Sequence, residues 1–315
     1  MKRIVISLIG FFLLFTGLSY ASPAKTKKVP EGFVFVEGST VQGNVKYSKG
    51  LKNYVFLEGR TIEIKDFYIS DHELTYQESV KDLRNDKLRN LPDLLSWYDA
   101  IVYCNERSIR EGLTPCYAIQ IKSKYTTNPK KWGKIPRYGH GNYLENQEFN
   151  ELKDVWENVT CDFDANGYRL PTAAEWEYAA LGGKAGMALE DPTEYAGTND
   201  VNELGEYAWY RENSLFEPHD VKTKKPNMLG LYDMSGNVKE WCWDLYNVIE
   251  EETPFSGPET GVFITFKDGG DCVCRTCAGG SADNVSGDCT ARARCFAAPW
   301  GAQGVRLVRS KLSRN

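Results

Sequence analysis

The chain has 315 residues, 42% hydrophobic and 13% aromatic, with 28 glycines, which is enough apolar material for a large core. A formal charge of −5 removes the bulk electrostatic case for nucleic acid, and the short run Lys222-Thr223-Lys224-Lys225 reads as a solvated loop. Beyond the N-terminal region no stretch is long and apolar enough to cross a bilayer, so no membrane span is expected in the mature chain.

Lys2 and Arg3 precede an apolar run from Ile4 to Leu18, and Ser19-Tyr20-Ala21 follows. Charged, apolar and small residues in that order predict a signal peptide over residues 1–21, cleaved after Ala21. The run is short for a retained anchor. Residues 22–31 read as a Pro/Lys linker and residues 32–315 as one domain, exported to a periplasm, a cell surface or the medium. Nine cysteines could pair in such a compartment, and the odd number leaves at least one free or paired between chains. Cys272, Cys274 and Cys277 have metal-like spacing, but no second knuckle follows, which argues against zinc.

In chain order, Phe33-Val34-Phe35-Val36-Glu37-Gly38 predicts a strand, followed by a glycine-rich turn to Gly43-Asn44. Tyr54 to Leu57 and Ile62 to Ile69 predict further strands, the second with period-two alternation. Thr75 with Glu78 is a capping box opening a helix, Ser96 with Asp99 opens a second, and Thr172 with Glu175 a third that stops at Gly182-Gly183. These helices are expected to pack on a small central sheet. Lys122 to Asn158 reads as a long ordered insertion with short strands. Glu206 to Tyr210 is a short apolar segment before a Lys/Pro loop. Val262 to Phe266 and Gly304 to Val308 predict strands. His72, His140 and His219 are scattered without ligand spacing.

The segment from Arg275 to Val308 differs from the rest. Gly279-Gly280-Ser281, Arg294, Pro299 and Gly304-Val305-Arg306-Leu307-Val308 punctuate small or shape-varied residues. From Asp271 to Ala298 there is no Lys, Glu, Gln, Met or Trp, in a chain otherwise rich in Lys and Glu.

Several stretches carry a resemblance. Gly167-Tyr168-Arg169-Leu170-Pro171-Thr172-Ala173-Ala174-Glu175-Trp176-Glu177 and the run from Gly230 to Trp241 resemble motifs of the formylglycine-generating, sulfatase-modifying enzymes. Gly279-Gly280-Ser281 and Gly304 to Val308 resemble the C-terminal motifs of the same family, and coverage runs from about Gly32 to Val308. The resemblance implies an α+β, C-type-lectin-like fold of the formylglycine-generating-enzyme type, with few regular strands and much loop.

In the copper-dependent enzymes of that family, two cysteines five positions apart follow Gly-Gly-Ser and hold Cu(I). Here the first position falls on Asn284 and the second on Cys289, and an amide cannot replace a thiolate. The chain is more similar to the variable proteins of diversity-generating retroelements, the exported protein of a spirochaete among them. Cys289, Arg294 and Pro299 fit their pattern, whereas Ala282 and Val305 stand where Trp and Phe are frequent. Adenine randomisation of asparagine codons in that system cannot yield the five residue types missing here.

The resemblance implies a monomeric, non-enzymatic, exported binder of a protein or small-molecule ligand. Its site residues would be Ala278, Ala282, Asp283, Asn284, Val285, Ser286, Asp288, Thr290, Arg292, Ala293, Cys295, Phe296, Ala297, Ala298, Trp300 and Ala302. Phe296 and Trp300 would be apolar anchors, with Trp300 equally readable as core, and Arg292 a charged contact. The alternative is a thiol- or metal-dependent oxidase using Cys289 with Cys277 or Cys295; a domain without a specific ligand is a third reading. No cofactor is expected apart from calcium, which family members bind at the positions of Asn237 and Glu240. The other reading of that pair is a turn ordered by Asn237, with Glu240 paired to an arginine or a backbone amide.

Overall fold

A computed structural model describes residues 29–45, 55–80, 85–137, 152, 155–246, 263–265 and 271–311. The predicted signal peptide and most of the linker lie outside these residues.

The sheet that closes the molecule is assembled from distant parts of the chain. Strand β1 (Phe33–Val36) pairs antiparallel with β4 (Phe67–Ser70), β4 with β14 (Val308–Ser310), and β14 with β8 (Tyr168–Arg169). A separate ladder joins β2 (Ser39–Gln42) and β3 (Thr61–Ile64). Another has β5 (Tyr117–Ile121) between β6 (Lys124–Thr126) and β7 (Thr160–Cys161). The third carries the C-terminal segment: β12 (Arg275–Ala278) lies between β9 (Glu240–Leu245) and β13 (Arg294–Ala297). Strands β10 (Phe263–Thr265) and β11 (Asp271–Val273) form a short pair. Several small sheets thus stand where one central sheet was expected.

The three predicted helix starts are present. Thr75 caps α1 (Tyr76–Ser79), a single turn in which the Thr75 N–H and hydroxyl both reach Glu78 Oε2 at 3.0 Å. Ser96 caps α2 (Trp97–Arg110), its hydroxyl accepting from the Asp99 N–H at 3.1 Å. Thr172 and Glu175 form a reciprocal box on α3 (Ala173–Ala180), which ends at Gly182 with φ +92°. The same Glu175 carboxylate makes two hydrogen bonds with Arg169, at 2.7 and 2.6 Å, tying the cap to β8.

Three predicted strands differ. The described part of Tyr54–Leu57 makes only a bridge from Leu57 to Val45, because the Val55 N–H donates to the Glu177 carboxylate at 3.0 Å rather than to a ladder. Ile62–Ile69 divides into β3 and β4 where Gly38 crosses it; a Cβ on Gly38 would lie 2.2 Å from the Ile64 carbonyl oxygen. Gly304–Val308 is strand only from Val308, since Arg306 turns inward to Glu240. The described part of the Lys122–Asn158 region carries β6 and packs Trp132 edge-on against Trp156.

Two apolar clusters fill the interior. One places α3 (Ala174, Trp176, Tyr178) on Ile62, Phe67 and Val308; the other packs Trp97, Tyr98, Trp156 and Trp241 with Cys277 and Leu307. The β9-β12-β13 sheet touches both, so both cores support the segment it carries.

Candidate functional site

The glycines of Gly279-Gly280-Ser281 have distinct steric reasons. Gly279 has φ +74°, and a Cβ there would sit 3.1 Å from the Trp176 ring; a Cβ on Gly280 would sit 2.4 Å from Cys289 Sγ. Close approach at both points turns the chain out of β12 into the loop from 281 to 293. Backbone bonds then hold that loop. The Ala282 N–H donates to the Asn237 carbonyl at 2.8 Å, and the Arg211 N–H donates to the Asn284 carbonyl at 2.9 Å. The Ser214 hydroxyl donates to the Ala282 carbonyl, and Arg211 Nε to the Asp283 carbonyl at 2.9 Å. The Ser281 hydroxyl reaches Asp283 Oδ1 and, at 2.7 Å, Asn284 Oδ1.

Exposure sorts the expected site residues. Asp283, Val285, Asp288, Phe296 and Ala302 are exposed, while Asn284, Ser286, Ala293, Cys295, Ala297, Ala298 and Trp300 are half-buried. Phe296 stands on β13 with its ring 5.1 Å from that of Tyr246. Ala278, Ala282, Thr290 and Arg292 are buried, which corrects their assignment as contacts. Ala278 at the end of β12 and Ala282 at the start of the loop are small enough to pack inside. Arg292 points inward: its Nη1 donates to the Thr193 carbonyl at 3.3 Å and its Nε lies 4.0 Å from Glu177 Oε1. Burial pushes the Glu177 carboxyl up to about 7 against the pull of the Val55 N–H, Arg292 and Arg294.

The loop brings Asn284 and Cys289 together, the Cys289 thiol lying 4.0 Å from the Asn284 carbonyl. Cys289 is buried, and desolvation pushes its thiol up to about 12. At neutral pH the free group is a thiol, a weaker nucleophile than a thiolate.

The expected calcium ligands have other partners. Both Glu240 oxygens accept from Arg306, at 2.7 to 3.0 Å, and Trp176 Nε1 donates to Oε2 at 2.6 Å. Asn237 has φ +60°; its Oδ1 accepts from the His219 N–H at 2.8 Å, and its Nδ2 donates to Glu73 Oε2 at 2.7 Å. With a guanidinium on the Glu240 carboxylate, these residues do not fit calcium. The arginine-paired reading of Glu240 and the turn reading of Asn237 describe the observed contacts. Among the described residues no group of three or more His, Cys, Asp or Glu is arranged to hold a metal.

A second segment missed in the sequence reading backs the loop. Residues 209–220 supply Arg211 and Ser214 to it and expose Leu215 (86%) and Phe216 (63%) beside it. Both residues are left-handed, with φ +59° and +65°, an uncommon conformation for bulky side chains. The Phe216 N–H donates to the Ser214 hydroxyl at 3.0 Å, and His219 Nε2 contacts the Ser214 carbonyl at 2.9 Å. Adjacent bulky apolar residues amid polar ones were a faint signal, without the periodicity that marks core.

Two cores under a loop-rich C-terminal segment define a class of protein, and comparison places the chain within it. Residues 19–311 match the model of the sulfatase-modifying factor enzyme 1-like domain, and the chain belongs to that family. It is 36% identical over 258 residues to chaperone protein LppX of Paenibacillus barcinonensis, covering 76% of this chain and 79% of that one. It is 31% identical over 165 residues to the formylglycine-generating enzyme of Thermomonospora curvata, covering 46% of this chain and 52% of the relative. Among solved structures, Treponema denticola variable protein 1 superposes with a TM-score of 0.68 at 27% identity, covering 89% of this chain and 95% of that one. The C-type-lectin-like fold expected from the motifs is therefore present.

Proposed function

We propose that this chain is an exported ligand-binding protein of the variable-protein type, with its site on the C-terminal segment, and that it does not catalyse formylglycine formation. The observation that carries the reading is the way the 281–293 loop is held. Its backbone bonds to Asn237, Arg211 and Ser214, while Asp283, Val285 and Asp288 are left exposed. Side chains on a fixed backbone can change without refolding, and little ordering entropy is lost on binding. Leu215 and Phe216 extend the apolar part of this surface, and Phe296 supplies another on β13. The likeness to a variable protein supports the binding role, and the likeness to a chaperone favours a protein as ligand. Asn284 and the buried Cys289 thiol argue against the oxidase, which remains the rival reading through family membership.

Two experiments separate these readings. Incubating the copper-loaded chain with a cysteine-containing sulfatase peptide should leave the cysteine intact; stoichiometric conversion to the aldehyde would restore the enzyme. Sequencing the neighbouring DNA should find a near-copy of the segment encoding Arg275 to Val308, differing at adenines, beside a reverse transcriptase. Absence of such a copy would leave a binder without diversification.

A further inference from the structure

Cys277 on β12 and Cys295 on β13 are direct cross-strand partners. The Gly279 N–H donates to the Ala293 carbonyl at 2.9 Å, which sets the phase of this antiparallel ladder. Cys277 and Cys295 lie two residues further along both strands and so fall in the same class of hydrogen-bonded pair. Such pairs hold their Cα atoms about 5.5 Å apart. That lies inside the roughly 4.4–6.8 Å over which a disulfide closes without backbone movement. Both side chains face the second core, with Trp241 opposite Cys277 on β9.

We propose that Cys277 and Cys295 are a disulfide-forming site, a cross-strand dithiol that a small disulfide oxidises and that staples the ends of the 278–294 segment. The two thiols have different roles. Cys295 is half-buried and therefore reachable, whereas Cys277 is fully buried. The hydrogen bond between them, with Lys239 and Arg294 nearby, holds the Cys295 thiol below its usual range. Burial, with the same partner, pushes the Cys277 thiol well above its own.

Cys295 thiolate is the attacking group. It displaces one glutathione from glutathione disulfide, giving a mixed disulfide. Cys277 then loses its proton, attacks the protein-side sulfur and expels the second glutathione. The protein loses two protons and two electrons, and two glutathione thiols carry them away. The staple encloses the loop bearing Asp283, Val285 and Asp288, so oxidation fixes both ends of the exposed segment in register.

The test uses the reduced full chain incubated with glutathione disulfide, then alkylated, digested and mapped by mass spectrometry. The expected product is one peptide pair joined through Cys277 and Cys295, two free thiols fewer, and a higher melting temperature than the reduced chain. In Cys295→Ser neither thiol loss nor the melting shift should occur. Stable glutathione on Cys295 with Cys277 still alkylated after denaturation would overturn the proposal. So would a crosslink joining other cysteines while this pair stays free. The peptide map of the unsubstituted chain decides the matter even if Cys295→Ser fails to fold.

Discussion

Arg306 meets Glu240 through three nitrogen–oxygen contacts of 2.7 to 3.0 Å, with both side chains shut off from water. The guanidinium also donates to the Ser70 carbonyl at 3.0 Å and the Tyr232 carbonyl at 2.8 Å, and so ties the chain before β14 to the end of β4 and to the segment around Tyr232. Removing one partner strands a buried charge. Arg306→Leu is therefore expected to lose about 3–5 kcal/mol in urea unfolding. Arg306→Lys should not recover it, because an ammonium cannot reproduce the fork. A loss below about 1 kcal/mol in Arg306→Leu would show that the pair is dispensable.

The exposed and buried positions of the C-terminal segment should separate in thermal melts. Val285→Ala, Asp283→Ala and Phe296→Ala are expected to change stability by about 0.5 kcal/mol or less. Trp241→Ala removes a buried ring whose Nε1 donates to the Leu95 carbonyl at 2.8 Å, and should cost about 3–5 kcal/mol. Arg292→Ala belongs with the second group, since it leaves Glu177 without its nearest cation. Uniform large losses across the first group would place those residues in the core and remove the binding surface.

Thr172→Ala should cost about 1 kcal/mol, the usual loss for an N-cap. Glu175→Ala should cost more, because the same carboxylate closes the box and holds the buried Arg169 guanidinium. Unfolding midpoints that rank the two variants in the reverse order would show that the box and the ion pair are not coupled through Glu175.

Glu177 sets a pH dependence. Its carboxyl is raised to about 7 in the fold, from an ordinary value near 4.5. The folded state therefore holds the proton more tightly than the unfolded one. The stability it contributes is complete below about pH 4.5 and is lost as pH rises through about 7, on the order of a few kcal/mol. In Glu177→Gln the unfolding midpoint should lose this decline between pH 4.5 and 7. An unchanged slope would mean that the carboxylate stays ionised beside Arg292.

Much of the scaffold was legible because its signals are local. Thr172 and Glu175 lie three residues apart, and Gly279-Gly280-Ser281 marks one sharp exit from β12. What escaped depends on residues far apart in sequence. Arg292 reads as a surface charge until Glu177 and the Thr193 carbonyl are seen beside it. Val55 reads as strand until Glu177 takes its donor. Calcium at Asn237 and Glu240 was plausible until Arg306, Glu73 and His219 were found on them. Leu215 and Phe216 carry no period at all, and only their left-handed backbone, directly after the Ser214 that bonds the loop, singles them out.

The place of β14 between β4 and β8 bears on how the chain is made. The last described strand sits inside the closing sheet, so that sheet stays incomplete until Val308–Ser310 has been made. Contacts between residues as distant as Ser70 and Leu307 make folding slow and late. A stop codon or a lost reading frame anywhere before Val308 removes the strand that finishes the structure. Copies carrying such errors would leave β4 and β8 as unpaired edges, open to proteolysis and aggregation. Intact translation through Val308 is thereby a condition for completing the closing sheet.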